Sequence, residues 1–240
     1  MYGGRIIMLR EGNSKMETGI SKLDECLGGG IPKGKSLVYY FLPGVEAEIF
    51  WIQTVYNTLK NGGTCIFIES RCKPDATKNQ IKDMGWDIQP YINRFICVDA
   101  YNPLISAQSK EKFVVSNPED IEEFNKIIIH IIKHFPPGTI VFGSLSTIMD
   151  LCGEKETIGA VIEWNKMAML HDHIIVYNFT AWPYSDETLS LIKGNLFNAV
   201  IMIGKNSDQI FLGQYFKLLR SDWIENKRDC GGNLVAHHYL

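Results

Sequence analysis

The chain has no surplus of positive charge: 24 Lys and Arg stand against 27 Asp and Glu, giving a net charge of −3. A surface that tracks nucleic-acid phosphates normally carries a basic excess, so nucleic acid is not expected as a partner. The six cysteines, at 26, 65, 72, 97, 152 and 230, form no CxxC pair, and several sit inside apolar runs such as Cys65-Ile66-Phe67-Ile68. That usage predicts reduced, mostly buried thiols. His171-Asp172-His173 and His237-His238 lack cysteine or carboxylate partners at zinc-type spacing, so no metal site is expected. No segment reaches the roughly 18 uncharged apolar residues of a membrane helix, and the apolar stretch in Met1–Met8 is too short for a signal peptide. A soluble protein of the cytoplasm, without membrane contact, is the expectation. Repeats, low-complexity tracts and dividing linkers are also missing, which leaves one domain over residues 1–240.

What is present is enough apolar residue, 45% of 240, to bury one large core. Ser36–Leu42 is a continuous apolar run between turn residues, as in a strand buried on both faces. From Ala47 to Lys60 the apolar positions recur at helical spacing, and Asn61-Gly62-Gly63 supplies a stop. The alternation continues with strands at Thr64–Ser70, Phe95–Ala100, Thr139–Phe142 and Ile174–Phe179, and helices at Asp75–Met84, Pro118–His134 and Glu154–His171. Repeated β-α-β units need crossovers, which predicts an α/β fold with a mainly parallel sheet flanked by helices. Ala199–Ile203 and Gln209–Leu219, split by the turn-like Gly204-Lys-Asn-Ser-Asp208, predict antiparallel strands at the C-terminal edge. The polar stretch Tyr101–Asn117 is expected to be the least ordered connection.

Thr18-Gly-Ile-Ser-Lys-Leu-Asp24, followed by Leu27-Gly-Gly-Gly-Ile-Pro-Lys-Gly34 and an apolar strand, resembles the opening of the KaiC-like branch of the RecA-superfamily ATPases. Met84-Gly85-Trp86-Asp87 and Ser144-Leu145-Ser146 continue the likeness in order, so that it spans about residues 17–220. The resemblance implies a RecA-like P-loop NTPase fold, ATP binding and hydrolysis, and a ring with nucleotide between subunits.

At the phosphate-binding loop the match fails. The family form is G-x-x-x-x-G-K-[ST], whose glycines bring amides to the phosphates, whose Lys meets the β/γ oxygens and whose Ser/Thr holds Mg²⁺. Here the aligned residues are Phe41, Leu42, Pro43, Gly44, Val45, Glu46, Ala47 and Glu48, and none of the four defining positions survives. Glu46 and Glu48 place carboxylates where a phosphate would sit. Like charges ~4 Å apart repel by about 4 kcal/mol at an effective dielectric of ~20, whereas each carboxylate gains roughly 0.3–1 kcal/mol from the helix dipole. The two glutamates therefore either stand in for the phosphate or act simply as good first-turn residues.

The family's magnesium-organising Asp falls on Gly143, and its paired catalytic glutamates fall near Arg71 and Cys72, with Glu69 one or two residues away. No residue is assigned a catalytic role and no cofactor is expected, ATP with Mg²⁺ being disfavoured. Lys217 and Arg220 resemble the basic residues that reach a neighbour's nucleotide, one residue further apart than the family's K-x-R; solvated charges flanking an edge strand are the other reading. Trp182-Pro183-Tyr184 lies where α/β sheets place ligands, open to stacking on a ligand or partner and to core packing or loop anchoring. The expected function is that of a non-catalytic KaiC-like protein, acting as a homo-oligomer through protein contacts in signalling or the regulation of a larger assembly. The alternative is an atypical ATP-binding protein or ATPase whose site is completed by a neighbouring subunit.

Overall fold

The structure is a computed structural model, and it describes residues 15–45, 48–205, 213–225 and 230–235. In chain order the elements are α1 (Ser21–Cys26), β1 (Ser36–Phe41), α2 (Glu48–Lys60), β2 (Cys65–Glu69), α3 (Pro74–Asp83), β3 (Phe95–Asp99), β4 (Phe113–Val114), α4 (Ile121–His134) and β5 (Thr139–Phe142). There follow α5 (Leu145–Cys152), α6 (Glu154–Leu170), β6 (Ile174–Thr180), α7 (Asp186–Lys193), β7 (Ala199–Lys205), β8 (Gly213–Ser221) and β9 (Gly231–Val235). The nine strands form one sheet in the order β4-β3-β2-β5-β6-β1-β7-β8-β9. Pairs from β4 to β7 are parallel; β7–β8 and β8–β9 are antiparallel.

Every residue of β1 is buried, because the strand is paired on both sides and covered on both faces. Its side chains alternate between two cores. Leu37, Tyr39 and Phe41 face α1 and α2 with Trp51, Phe67 and Ile201, while Val38 and Tyr40 face α4–α6 with Phe142, Trp164 and Tyr177. The Tyr39 hydroxyl is satisfied inside the first core by Thr54 Oγ1 at 2.9 Å. At the end of α2 the chain reverses through Gly62 at φ +87°, and Gly63 N–H bonds back to Thr58 O at 2.9 Å. A left-handed glycine of this kind ends a helix without steric penalty.

The expected strands and helices are present, with ends shifted by a few residues; most of the expected turn at 204–208 and the start of the strand expected from Gln209 lie outside the described residues. Asp120 starts α4 by accepting a hydrogen bond from Glu122 N–H, so the helix begins at Ile121 rather than at Pro118. Helix α5 was not anticipated: Ser144 caps it, accepting from Thr147 N–H, and Gly153 at φ +94° separates it from α6. The short elements α1, α7, β4 and β9 were also unforeseen. Tyr101–Asn117 is not a loose connection. Buried Asp99 accepts from Tyr101 N–H, Asn102 N–H and side chain, and Ser109 Oγ, and β4 pairs with β3. Burial pushes the Asp99 carboxyl up, but these hydrogen bonds outweigh it and hold the group below the ordinary carboxylate range.

The expectation of reduced cysteines fails at one pair. Cys26 and Cys230 form a disulfide with Cα atoms 5.6 Å apart, fastening the end of α1 to the start of β9. Their partnership was invisible in sequence because 204 residues separate them and only the pairing of β9 with β8 brings them together. Cys65, Cys72, Cys97 and Cys152 are free. Among the described residues no helix is long and apolar enough to cross a membrane.

His173 is fully buried beside β6 and its ring is spent on the backbone. Nδ1 accepts from Gly138 N–H at 3.2 Å, which leaves Nε2–H to donate to Ile132 O at 3.1 Å. Burial lowers its pKa, so in the fold it is neutral. The unfolded chain binds the proton more readily, so this contribution is complete above the unfolded pKa of about 6.5 and is lost as the pH falls below it. Thermal melts should show stability falling below about pH 6.5, with a shallower slope in His173→Gln. Cys230→Ser should lower stability by about 2–4 kcal/mol in denaturant titration, with a dithiothreitol-treated wild type matching it.

Candidate functional site

The carboxyl ends of β1, β2, β5 and β6 meet at one edge of the sheet, where open α/β folds place their ligands. Phe41, Val45, Glu48, Trp51, Arg71, Gly143, Ser144, Asn178 and Thr180 line a cavity there of about 80 Å³. Ligand pockets typically run to roughly 300–1,000 Å³, so this space is far smaller than a nucleoside triphosphate needs.

The described part of the loop after β1, which borders this cavity, turns tightly. Pro43 and Gly44 sit at the centre of a tight turn, with Gly44 at φ +73° and Val45 N–H donating to Leu42 O at 3.2 Å. Proline followed by a residue of positive φ is the signature of a type II turn. Leu42 N–H is bonded to Ile203 O at 2.9 Å. The amides of Leu42 and Val45 are thereby committed to carbonyls. Glu48 opens α2 and lines the cavity, as expected; Glu46 and Ala47 lie outside the described residues.

Gly143, where a metal carboxylate was expected to be missing, is packed closely. Its N–H bonds Ile68 O at 2.9 Å, and a Cβ added to it would meet Ile68 O and the Phe67 ring at 3.1 Å. Glu69, the nearest substitute for the family's glutamates, is fully buried. One of its oxygens accepts from Arg71 N–H at 2.7 Å and Cys72 N–H at 3.3 Å, and the other from Thr77 Oγ1. Those bonds fasten the start of α3, and Glu69 is not among the residues that line the cavity. Asp150 accepts from Tyr184 Oη at 2.8 Å; burial first, and then this carboxylate, raise the Tyr184 pKa.

Arg71 is the feature that sequence reasoning passed over, since it was noted only as occupying a lost glutamate position. Its guanidinium stacks on Trp51, 5.2 Å from the ring, with Nε 3.7 Å from Glu69. Nε and Nη2 are nevertheless buried and make no hydrogen bond. On the facing strand, Asn178 donates through Nδ2 to Phe142 O at 2.8 Å while its buried Oδ1 has no partner. The sequence signal was available: a cation at the carboxyl end of β2 and an amide inside the otherwise apolar β6.

Lys217 and Arg220 are not brought to this cavity. They lie on β8, which is not an edge strand because β9 covers it. Arg220 pairs in register with Val200, at the opposite end of the sheet, and its Nη1 donates to Phe197 O. Trp182 is 70% exposed rather than packed in the core. Tyr184 anchors the loop through Ser146 O and Asp150.

Residues 16–174 match the family model described as "ATPase: KaiC". A UPF0273 protein of Pyrococcus horikoshii is 31% identical over 137 residues, 56% of each chain. A UPF0273 protein of Pyrobaculum aerophilum is 30% identical over 129 residues, 52% of this chain and 46% of that one. The circadian clock protein KaiC3 of Synechocystis is 28% identical over 140 residues, 58% of this chain and 27% of that one. This chain's match spans about half the length of the UPF0273 relatives. A KaiC-like protein of Pyrococcus horikoshii shares the fold at a TM-score of 0.71 and 15% identity, over 92% of this chain and 98% of that one.

Because Gly143 has so little room, Gly143→Asp should not recreate a metal site. It should cost about 1–3 kcal/mol of stability in denaturant titration, through crowding against Phe67 and Ile68.

Proposed function

The chain belongs to the KaiC ATPase family, and from that premise we propose that it is a non-catalytic member, a RecA-fold module that works through protein contacts rather than ATP turnover. One observation carries this reading: the loop after β1 is closed on itself by Val45 N–H to Leu42 O, above a cavity of only about 80 Å³. Each component of phosphoryl transfer has a substitute without the function. The Leu42 and Val45 amides bond carbonyls, Ala47 replaces the lysine, and Glu48 replaces the metal-binding hydroxyl. Gly143 replaces the metal carboxylate, and Glu69 is engaged in holding α3.

A role in protein contacts is supported by apolar side chains left on the surface of α6. Ile162, Met169 and Leu170 are 56%, 56% and 64% exposed, and Ile162 and Met169 border a groove with Leu191 and Phe197. Exposed apolar side chains grouped in this way mark association surfaces. A homo-oligomer in the cytoplasm, regulating a larger assembly, is the setting this reading favours.

Isothermal titration with Mg²⁺–ATP tests it. No saturable heat should be seen up to about 1 mM nucleotide, a limit corresponding to roughly −4 kcal/mol, and phosphate release should not exceed the buffer rate. Micromolar binding accompanied by turnover would contradict the proposal.

A further inference from the structure

We infer that the contracted cleft is a binding site for one small, protonated oxyanion of the size and chemistry of inorganic phosphate, held by Arg71. The inference rests on the reading above that no nucleotide enters the cleft.

Arg71 Nε and Nη2 form one edge of the guanidinium, the edge that engages two oxygens of a carboxylate or phosphate at once. Neither buried donor makes a hydrogen bond, although Nε lies 3.7 Å from Glu69 and the side chain as a whole is 27% exposed; Asn178 Oδ1, in a residue only 3% exposed, is likewise without a hydrogen bond. Leaving a buried polar group unsatisfied costs about 1–3 kcal/mol, so a ligand that bonds the fork and Asn178 Oδ1 together would be stabilised there. Arg71 and Asn178 line the same cavity, together with Glu48, Ser144 and Thr180.

Size and polarity then select the ligand. A single water needs roughly 10–15 Å³ of such space, so about 80 Å³ admits a tetrahedral oxyanion or a few waters. Arg71 asks for acceptors, whereas Asn178 Oδ1 and the Glu48 carboxylate ask for donors. A metal cation would meet the guanidinium as a like charge. A carboxylate or sulfate ion offers acceptors only. Monoprotonated or diprotonated phosphate offers both, with P–O⁻ toward Arg71 and P–OH toward the acceptors. Glu48 on the same wall further favours the singly charged form.

The test is calorimetric titration of the full chain near pH 6.5 with sodium phosphate, sodium sulfate and Mg²⁺–ATP in parallel, at matched ionic strength. The expected result is one phosphate per chain, with sulfate at least about tenfold weaker. Arg71→Lys keeps the charge and loses the fork, and should weaken phosphate by about tenfold or more. Glu48→Gln should narrow the phosphate–sulfate gap, because an amide can donate to sulfate. Thermal melts of both variants establish that they are folded. Absence of phosphate binding up to about 10 mM, equal affinity for sulfate, or unchanged binding in Arg71→Lys would each overturn this inference while leaving the non-catalytic reading intact. Tight Mg²⁺–ATP binding with turnover would overturn both.

Discussion

The parallel pairing of β1 with β6 on one side and β7 on the other is the constraint from which the rest follows. Phe41 O accepts from Ala181 N–H and Leu42 N–H bonds Ile203 O, so β1 cannot release its last residues into a wide loop. The chain must turn at once, and Pro43 and Gly44 make that turn with a proline-fixed φ and a glycine in the left-handed region. Because β1 lies inside the sheet, its pairing aligns the end of β6 beside it, and β6 in turn aligns the end of β5. A cleft is inherited from the topology; its volume is set by the turn and by what fills the floor.

The floor is filled by side chains that satisfy one another incompletely. Trp51 carries the Arg71 guanidinium, Phe67 crowds Gly143, and Glu69 holds the first turn of α3. These contacts surround a cavity of about 80 Å³. They also leave a fork of two donors and one amide oxygen without partners. Arg71 has a counter-charge in Glu69 and is partly exposed, so what its fork lacks is hydrogen-bond acceptors rather than charge compensation.

Much of this was legible in the sequence. Apolar runs such as Ser36–Leu42 and Thr139–Phe142 gave their strands because burial on both faces leaves no room for polar residues, and the β-α-β alternation gave the parallel sheet. The altered loop was readable residue by residue, from Phe41 to Glu48. What escaped detection depends on distant chain. The Cys26–Cys230 disulfide joins residues 204 apart that meet only where β9 lies beside β8, and Asp99 orders residues 101–109 through hydrogen bonds that no periodicity encodes. The expectation that the protein's own carboxylates take the place of phosphate met a partial answer. Glu48 does line the cleft, but Arg71 lines it too, stacked on Trp51 and 3.7 Å from Glu69, while Glu46 lies outside the described residues.

The most direct measurement is an electron-density map from crystals grown with Mg²⁺–ATP. The account predicts the Pro43–Gly44 turn closed on itself, no nucleotide density along residues 41–48, and only a compact feature beside Arg71 Nε and Nη2. Continuous triphosphate density across that loop, with a metal near Glu48 or Gly143, would contradict it.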